Sequence, residues 1–152
     1  MNVFEEIVAR AGAFGLATVI ATEGSAPAQQ AMKMLVGAEG RVAGTVGGGR
    51  VEAAVIETAR AVRDGAAPEI LSFTLDDELA DEGGMICGGT VRILVERVEG
   101  GAPWADAAAE LVRTGRRGAL VARIGDAVER ELLRGADADA HLATEDARYA
   151  DG

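Results

Sequence analysis

The sequence predicts an α/β fold: a single domain built on a mixed β-sheet with flanking helices, and no Rossmann domain. Three observations carry that expectation. Segments whose apolar residues recur at helical spacing alternate with short runs rich in Val, Ile and Leu. Hydrophobic residues make up 49% of the 152, and a chain of this length buries about two thirds of its unfolded surface in one core. Only 3% are aromatic while 21 are glycine, which favours an aliphatic core threaded by tight backbone passages.

Taken in order, Val3, Ile7, Val8 and Ala11 recur at helical spacing with Glu5, Glu6 and Arg10 between them, so a short amphipathic helix is expected over 3–11, ended by Gly12 and Gly15. Leu16 to Thr22 is nearly continuous in apolar character, as suits a strand covered on both faces, and Glu23-Gly24-Ser25-Ala26-Pro27 has turn chemistry. Met32 to Val36 and Arg41 to Val46 flank Gly37-Ala38-Glu39-Gly40, the pattern of a hairpin. After Gly47-Gly48-Gly49, the residues Val51, Val55, Thr58, Ala59 and Val62 mark one face of a helix closed by Asp64-Gly65. A strand follows over 68–75, then the acidic stretch Asp76-Asp77-Glu78 and the break Glu82-Gly83-Gly84. Cys87-Gly88-Gly89 leads into a strand carrying Val91, Ile93, Val95 and Val98. A helix from Pro103 to Thr114, with proline in its first turn, precedes a last hairpin over Ala119–Ile124 and Val128–Leu133. The domain is expected over 1–134. Residues 135–152, acidic and otherwise mainly alanine, have little to bury and are expected to form a loosely ordered tail.

Charge and cysteine content narrow the function. A net charge of -10 opposes polyphosphate backbones, so nucleic acid is not an expected partner. The single cysteine, Cys87, excludes an internal disulfide framework and fits a reducing cytoplasm. The apolar run from Ala11 to Ala21 follows Glu5 and Glu6 where a secretory leader would be positive, and it falls short of the roughly 18 residues a membrane span needs.

The stretch Gly44-Thr45-Val46-Gly47-Gly48-Gly49-Arg50-Val51-Glu52 approaches a P-loop and departs from it. Gly44 and Gly49 satisfy the glycine frame, but Arg50 stands in place of Lys and Val51 cannot hold magnesium through a hydroxyl. A dinucleotide fingerprint starting at Gly47 would need glycine where Glu52 stands. Two readings remain. The glycines bend a strand sharply into a helix, with Glu52 favoured by the helix dipole. Alternatively, the peptide groups of Gly47, Gly48 and Gly49 meet a flat or anionic ligand, and Glu52 accepts hydrogen bonds from N–H donors such as the amino-pyrimidinone edge of a pterin, or equally of guanine. Lys33 is the sole lysine and lies within a strand, where either a positional charge or an outward-facing residue accounts for it. Cys87 beside Gly88-Gly89 could turn a soft sulfur toward a ligand, although a small buried hydrophobe is the commoner fate of a free cysteine. Gly24-Ser25 offers a hydroxyl and backbone N–H groups after a strand, where α/β proteins place ligand contacts. His141 has no partner for a Ser-His or Cys-His mechanism, and Asp76, Asp77 and Glu78 read as a solvated charge run.

The ordered set Gly24-Ser25-x-Pro27, Lys33-Met34-Leu35-Val36, Gly44-Thr45-Val46-Gly47-Gly48-Gly49-x-x-Glu52 and Cys87-Gly88-Gly89-x-Val91 resembles the N-terminal domain of the XdhC/CoxI accessory factors, over residues 3–99. The resemblance implies a non-enzymatic chaperone that binds molybdenum cofactor (molybdopterin) as cargo and assists its insertion into a molybdoenzyme client of xanthine dehydrogenase type. It implies that Gly24, Ser25, Gly47, Gly48, Gly49, Glu52, Gly88 and Gly89 hold the pterin and phosphate. Lys33 and Arg50 would offset charge, and Cys87 would approach the molybdenum. The chain departs from the family pattern at Ala28, where Arg is usual, at Gln30 or Ala31, where a Gly is usual, and at Arg50, often Cys. Full-length members continue into a Rossmann-like domain, so a separate Rossmann-domain chain is an expected partner, as is a second copy of this chain. Two other classes fit the residues: a small transferase using Cys87 as a sulfur-carrying nucleophile, and a ligand-free dimerisation module.

Overall fold

The computed structural model describes residues 2–24, 28–74 and 88–150, with the side chains of 143–150 left aside. Ser25, Pro27, the acidic run and Cys87 therefore lie outside the described residues. The element order is α1 (Val3–Ala9), β1 (Ala13–Glu23), β2 (Lys33–Val36), β3 (Arg41–Gly44), α2 (Gly49–Arg63), β4 (Glu69–Thr74), β5 (Thr90–Glu99), α3 (Pro103–Thr114), β6 (Gly118–Ile124), β7 (Val128–Arg134) and α4 (Gly135–Ala150). Asn2 caps α1 through a reciprocal pair with Glu5, and Arg10 turns extended, so the helix stops before the expected Ala11.

Five strands form one sheet in the order β3-β2-β1-β5-β4, and β6-β7 forms a separate hairpin. Each described pairing is antiparallel, and β5 enters the sheet beside β1 with Ala13 opposite Glu99 and Glu23 opposite Thr90. Helices flank this sheet, and no Rossmann-like repeat occurs among the described residues, as the α/β expectation requires.

Alternation sends side chains to two cores. On one face, Ala17, Val19, Met34, Val36, Val91, Ile93 and Val95 pack under Val51, Val55, Ala59 and Val62 of α2. On the other, Phe14, Leu16, Leu35 and Val98 pack with Val3 and Ile7 of α1 and Ala105 of α3. β1 is thus covered on both sides, which its continuous apolar run required.

The segment from Gly135, expected to be loosely held, is helical through α4 and packs on β6 and β7, burying Ala138. Alanine explains the difference: it offers little area to a core but has the highest helix propensity of any residue. Among the described residues no helix is long and apolar enough to cross a membrane.

Candidate functional site

Antiparallel order gathers the glycine-bearing motifs at one end of the sheet. β1 ends at Glu23, β3 at Gly44 and β4 at Thr74, while β2 begins at Lys33 and β5 at Thr90. The β1–β2 loop, the β3–α2 turn and the approach to β5 therefore leave the same edge. Two close approaches join them. A Cβ on Gly24 would stand 3.3 Å from Gly89 Cα, and a Cβ on Gly47 would stand 3.3 Å from Ala28 Cβ. Ala28 is buried in the core beneath α2, a place with no room for the longer Arg usual in the family pattern.

Inside the β3–α2 turn, Gly47, Gly48 and Gly49 take φ of 121°, 88° and 62°, values that an L side chain resists. Glu52 holds the turn together. Its Oε1 accepts from the Thr45 hydroxyl, from Val46 N at 3.2 Å and from Gly48 N at 3.1 Å, while Oε2 accepts from Arg41 Nη1 at 3.3 Å. Gly47 N donates in turn to Thr45 Oγ1 at 3.2 Å. Glu52, expected to receive a ligand's N–H groups, instead receives those of its own turn, and Gly47 and Gly48 point their N–H groups inward. What faces outward is the start of α2, where Gly49 and Arg50 are exposed, and the bare α-carbons of Gly48 and Gly88, at which a Cβ would meet nothing within 4 Å. Substituting Glu52 by Ala leaves three buried or half-buried donors unmet. We expect a loss of about 2 kcal/mol, with faster hydrogen exchange at the Val46 and Gly48 amides; unchanged exchange there would sink this role.

Lys33 goes elsewhere. Its backbone touches the turn, since Thr45 N donates to Lys33 O at 2.9 Å, but its side chain shares the face of Leu35, opposite α2. Lys33 Nζ donates to Ala31 O at 3.0 Å and lies 5.8 Å from the centre of the Phe4 ring of α1. Ala31, one of the two positions (with Gln30) at which the family pattern is expected to supply Gly, has φ of 74°. The ammonium of Lys33 and the charge of Arg50 are therefore not gathered at one point. Burial, and then the positive charge of Arg130, lower the Lys33 pKa from 10.5 to about 8.

The unfolded chain consequently binds the extra proton between pH of about 8 and 10.5, so stability rises with pH across that window. At neutral pH the charged Lys33 is a net cost to folding. Lys33→Met is expected to stabilise the protein by about 2 kcal/mol at pH 7 and to flatten the rise above pH 8, as read from urea unfolding. A less stable variant would contradict it.

Around Lys33 the structure assembles groups the sequence reading did not single out. Glu96, fully buried on β5, forms a two-pronged ion pair with Arg130 of β7, whose guanidinium also lies 4.8 Å from the centre of the Trp104 ring. Burial lowers the Arg130 pKa to about 10, which leaves it charged at neutral pH. The signal for Glu96 was present: it alternates with Leu94 and Val98 on a strand that is buried on both faces.

Comparison with known proteins agrees with the motif-bearing end. Residues 7–74 match the XdhC and CoxI family. The matched region runs from α1 through β4 and contains the glycine turn, Lys33 and Glu52. The protein YqeB of Escherichia coli K12, itself described as uncharacterized, is 33% identical over 98 residues, or 62% of this chain and 18% of YqeB. A crystal structure described as a xanthine dehydrogenase from Bacillus halodurans shares the fold, with a TM-score of 0.71 at 21% identity, over 89% of this chain and 43% of that one. The chain thus spans less than half the length of either. Among the described residues no group of three or more His, Cys, Asp or Glu is placed to hold a metal ion.

Proposed function

We propose that the chain is an accessory factor of XdhC/CoxI type that binds molybdenum cofactor as cargo and assists maturation of a xanthine dehydrogenase-type molybdoenzyme in the cytoplasm. One observation carries the reading: within a chain whose residues 7–74 match that family, three separate glycine-bearing segments meet at one sheet edge through approaches that a side chain would crowd. The residues fit such a cargo. Bare α-carbons at Gly48 and Gly88 leave open space for a flat ring system, and the first turn of α2 presents its positive dipole end with Arg50 beside it. Gly24, Gly49 and Gly89 complete the backbone wall. Ser25 and Cys87 are assigned to its rim from the sequence, with Cys87 facing the molybdenum.

In this reading Glu52 is a positioning residue that fixes the turn, and the chain's part is to bind, orient and release rather than to catalyse. The acidic surface meets the client or a separate Rossmann-domain chain, and self-association is part of the same proposal. Protein isolated under reducing, oxygen-free conditions is expected to carry molybdenum and, after oxidation, pterin fluorescence, both lost in an Arg50→Ala/Cys87→Ala variant. Absence of both from the wild type, together with no uptake of added molybdopterin, would overturn the reading. A covalent sulfur adduct on Cys87 in intact-mass measurement would replace it with the sulfur-transfer enzyme.

A further inference from the structure

A cavity of about 350 Å³ lies on the face of the sheet opposite α2, between that sheet and the β6–β7 hairpin. Thr18, Lys33 and Leu94 form its floor. They are cross-strand neighbours, since Thr18 stands opposite Lys33 on β2 and opposite Leu94 on β5. Leu120, Ala122, Ile124 and Arg130 come from the hairpin. This is the lower end of the range of about 300 to 1,000 Å³ that small-molecule sites occupy.

Lys33 Nζ donates to Ala31 O and the two Arg130 Nη atoms are held by Glu96, but two polar atoms of the lining residues lack a partner. Thr18 Oγ1 and Arg130 Nε are buried and have no hydrogen-bond partner among the described residues, and the Arg130 side chain is 7% exposed. Buried polar atoms are nearly always satisfied, and both unpartnered atoms belong to side chains that line this cavity. Guanidinium and ammonium groups only donate, and the threonine hydroxyl can donate, so the occupant must accept. The charges set its valence: Lys33 and Arg130 supply two positive charges, Glu96 cancels one through the ion pair, and one remains. The other lining side chains are mainly aliphatic and ask for an apolar body.

We propose that this cavity binds a small organic monocarboxylate, its carboxylate accepting from Lys33, Thr18 and Arg130 and its hydrocarbon part lying against Leu94, Leu120 and Ile124. The site lies on the face of the sheet opposite the glycine turn and α2 and does not rest on the cofactor reading. It also gives a use to Lys33, a cation the fold holds at a cost. Sequence pattern alone could not have shown this, because the wall of the cavity comes from the hairpin, far along the chain.

The test uses the full chain and three probes: benzoate, its neutral counterpart benzamide, and inorganic phosphate, titrated by calorimetry and by methyl NMR of Leu94 and Leu120. Benzoate is expected to bind saturably and to shift both methyl groups, with benzamide and phosphate at least tenfold weaker. Lys33→Met, which is expected to fold, should weaken benzoate at least tenfold, and Lys33→Arg should restore most of the affinity. Equal benzoate affinity in Lys33→Met, or no saturable shift of those methyl groups in the folded wild type, overturns the proposal. So does phosphate binding more tightly than benzoate, which would mark a site for an inorganic anion. Molybdenum and pterin content are read separately, and either result there leaves this outcome intact.

Discussion

Glu96→Gln is expected to destabilise the protein by about 3 to 5 kcal/mol. The mutation leaves size and shape nearly unchanged and removes only the charge that faces Arg130. Glu96 is fully buried and the Arg130 side chain nearly so, so water cannot take over the vacated role. The guanidinium would keep the Trp104 ring beneath it and lose its counterion. The reverse change, Arg130→Met alone, strands a carboxylate at the centre of β5 and should cost as much. Removing both, as Glu96→Leu with Arg130→Met, should recover most of the loss, because desolvating an ion pair costs nearly what its attraction returns. Urea unfolding of the four proteins gives the coupling directly. A loss below about 1 kcal/mol in either single variant would mean that the hairpin does not close over the sheet in solution, since an exposed pair is worth no more than that.

That ion pair also shows where sequence reading stops. α2 and β5 could be placed from periodicity, because they bury their apolar residues on faces that the 3.6 and 2.0 repeats expose directly. The glycine motifs were legible for a related reason: a turn that needs positive φ at three successive positions admits little else. What could not be read was partnership across the chain. Glu52 looked available to a ligand because nothing in its own helix claims it, and only the fold brings Thr45, Val46, Gly48 and Arg41 onto its two oxygens. Lys33, the sole lysine and set within a strand, reads as a partner of the glycines, yet alternation sends its side chain to the opposite face. Arg130, one of three arginines balanced by three acidic residues in the β6–β7 hairpin, gave no sign of being the buried cation above that face.

The two faces consequently divide the labour. The α2 face carries the glycine turn that the XdhC/CoxI match covers, and the other carries a cavity whose cations come from either end of the chain. A single row of backbone joins them, because Lys33 accepts from Thr45 on its carbonyl and lines the cavity with its side chain. Moving β2 would therefore be felt at both places, whereas moving α2 should be felt at one.

Gly15→Ala tests the α2 side of that division and is expected to cost about 3 kcal/mol or more, at the upper end for overpacking. The residue is paired on both sides near the start of β1 with ordinary backbone geometry, so the penalty is steric alone. An added Cβ would overlap the Ala59 carbonyl oxygen and stand 2.7 Å from Ala59 Cβ. Apolar carbons sit best at about 3.5 to 4.0 Å, so α2 or β1 must give by roughly 1 Å. β1 cannot retreat, because Gly15 lies between Val36 of β2 and Arg97 of β5 in register. α2 must lift instead, drawing Val55 and Val62 out of the core and pulling on the turn that begins the helix. Ala59→Gly should rescue little, since it removes the Cβ conflict but leaves the carbonyl oxygen in place and adds about 1 kcal/mol of helix cost. Thermal unfolding and hydrogen exchange at Val46 and Gly48 report the two consequences separately. Full rescue by Ala59→Gly would show that side chains alone set the height of α2, and a Gly15→Ala protein with wild-type stability would mean that the helix rides higher above β1 than these distances allow.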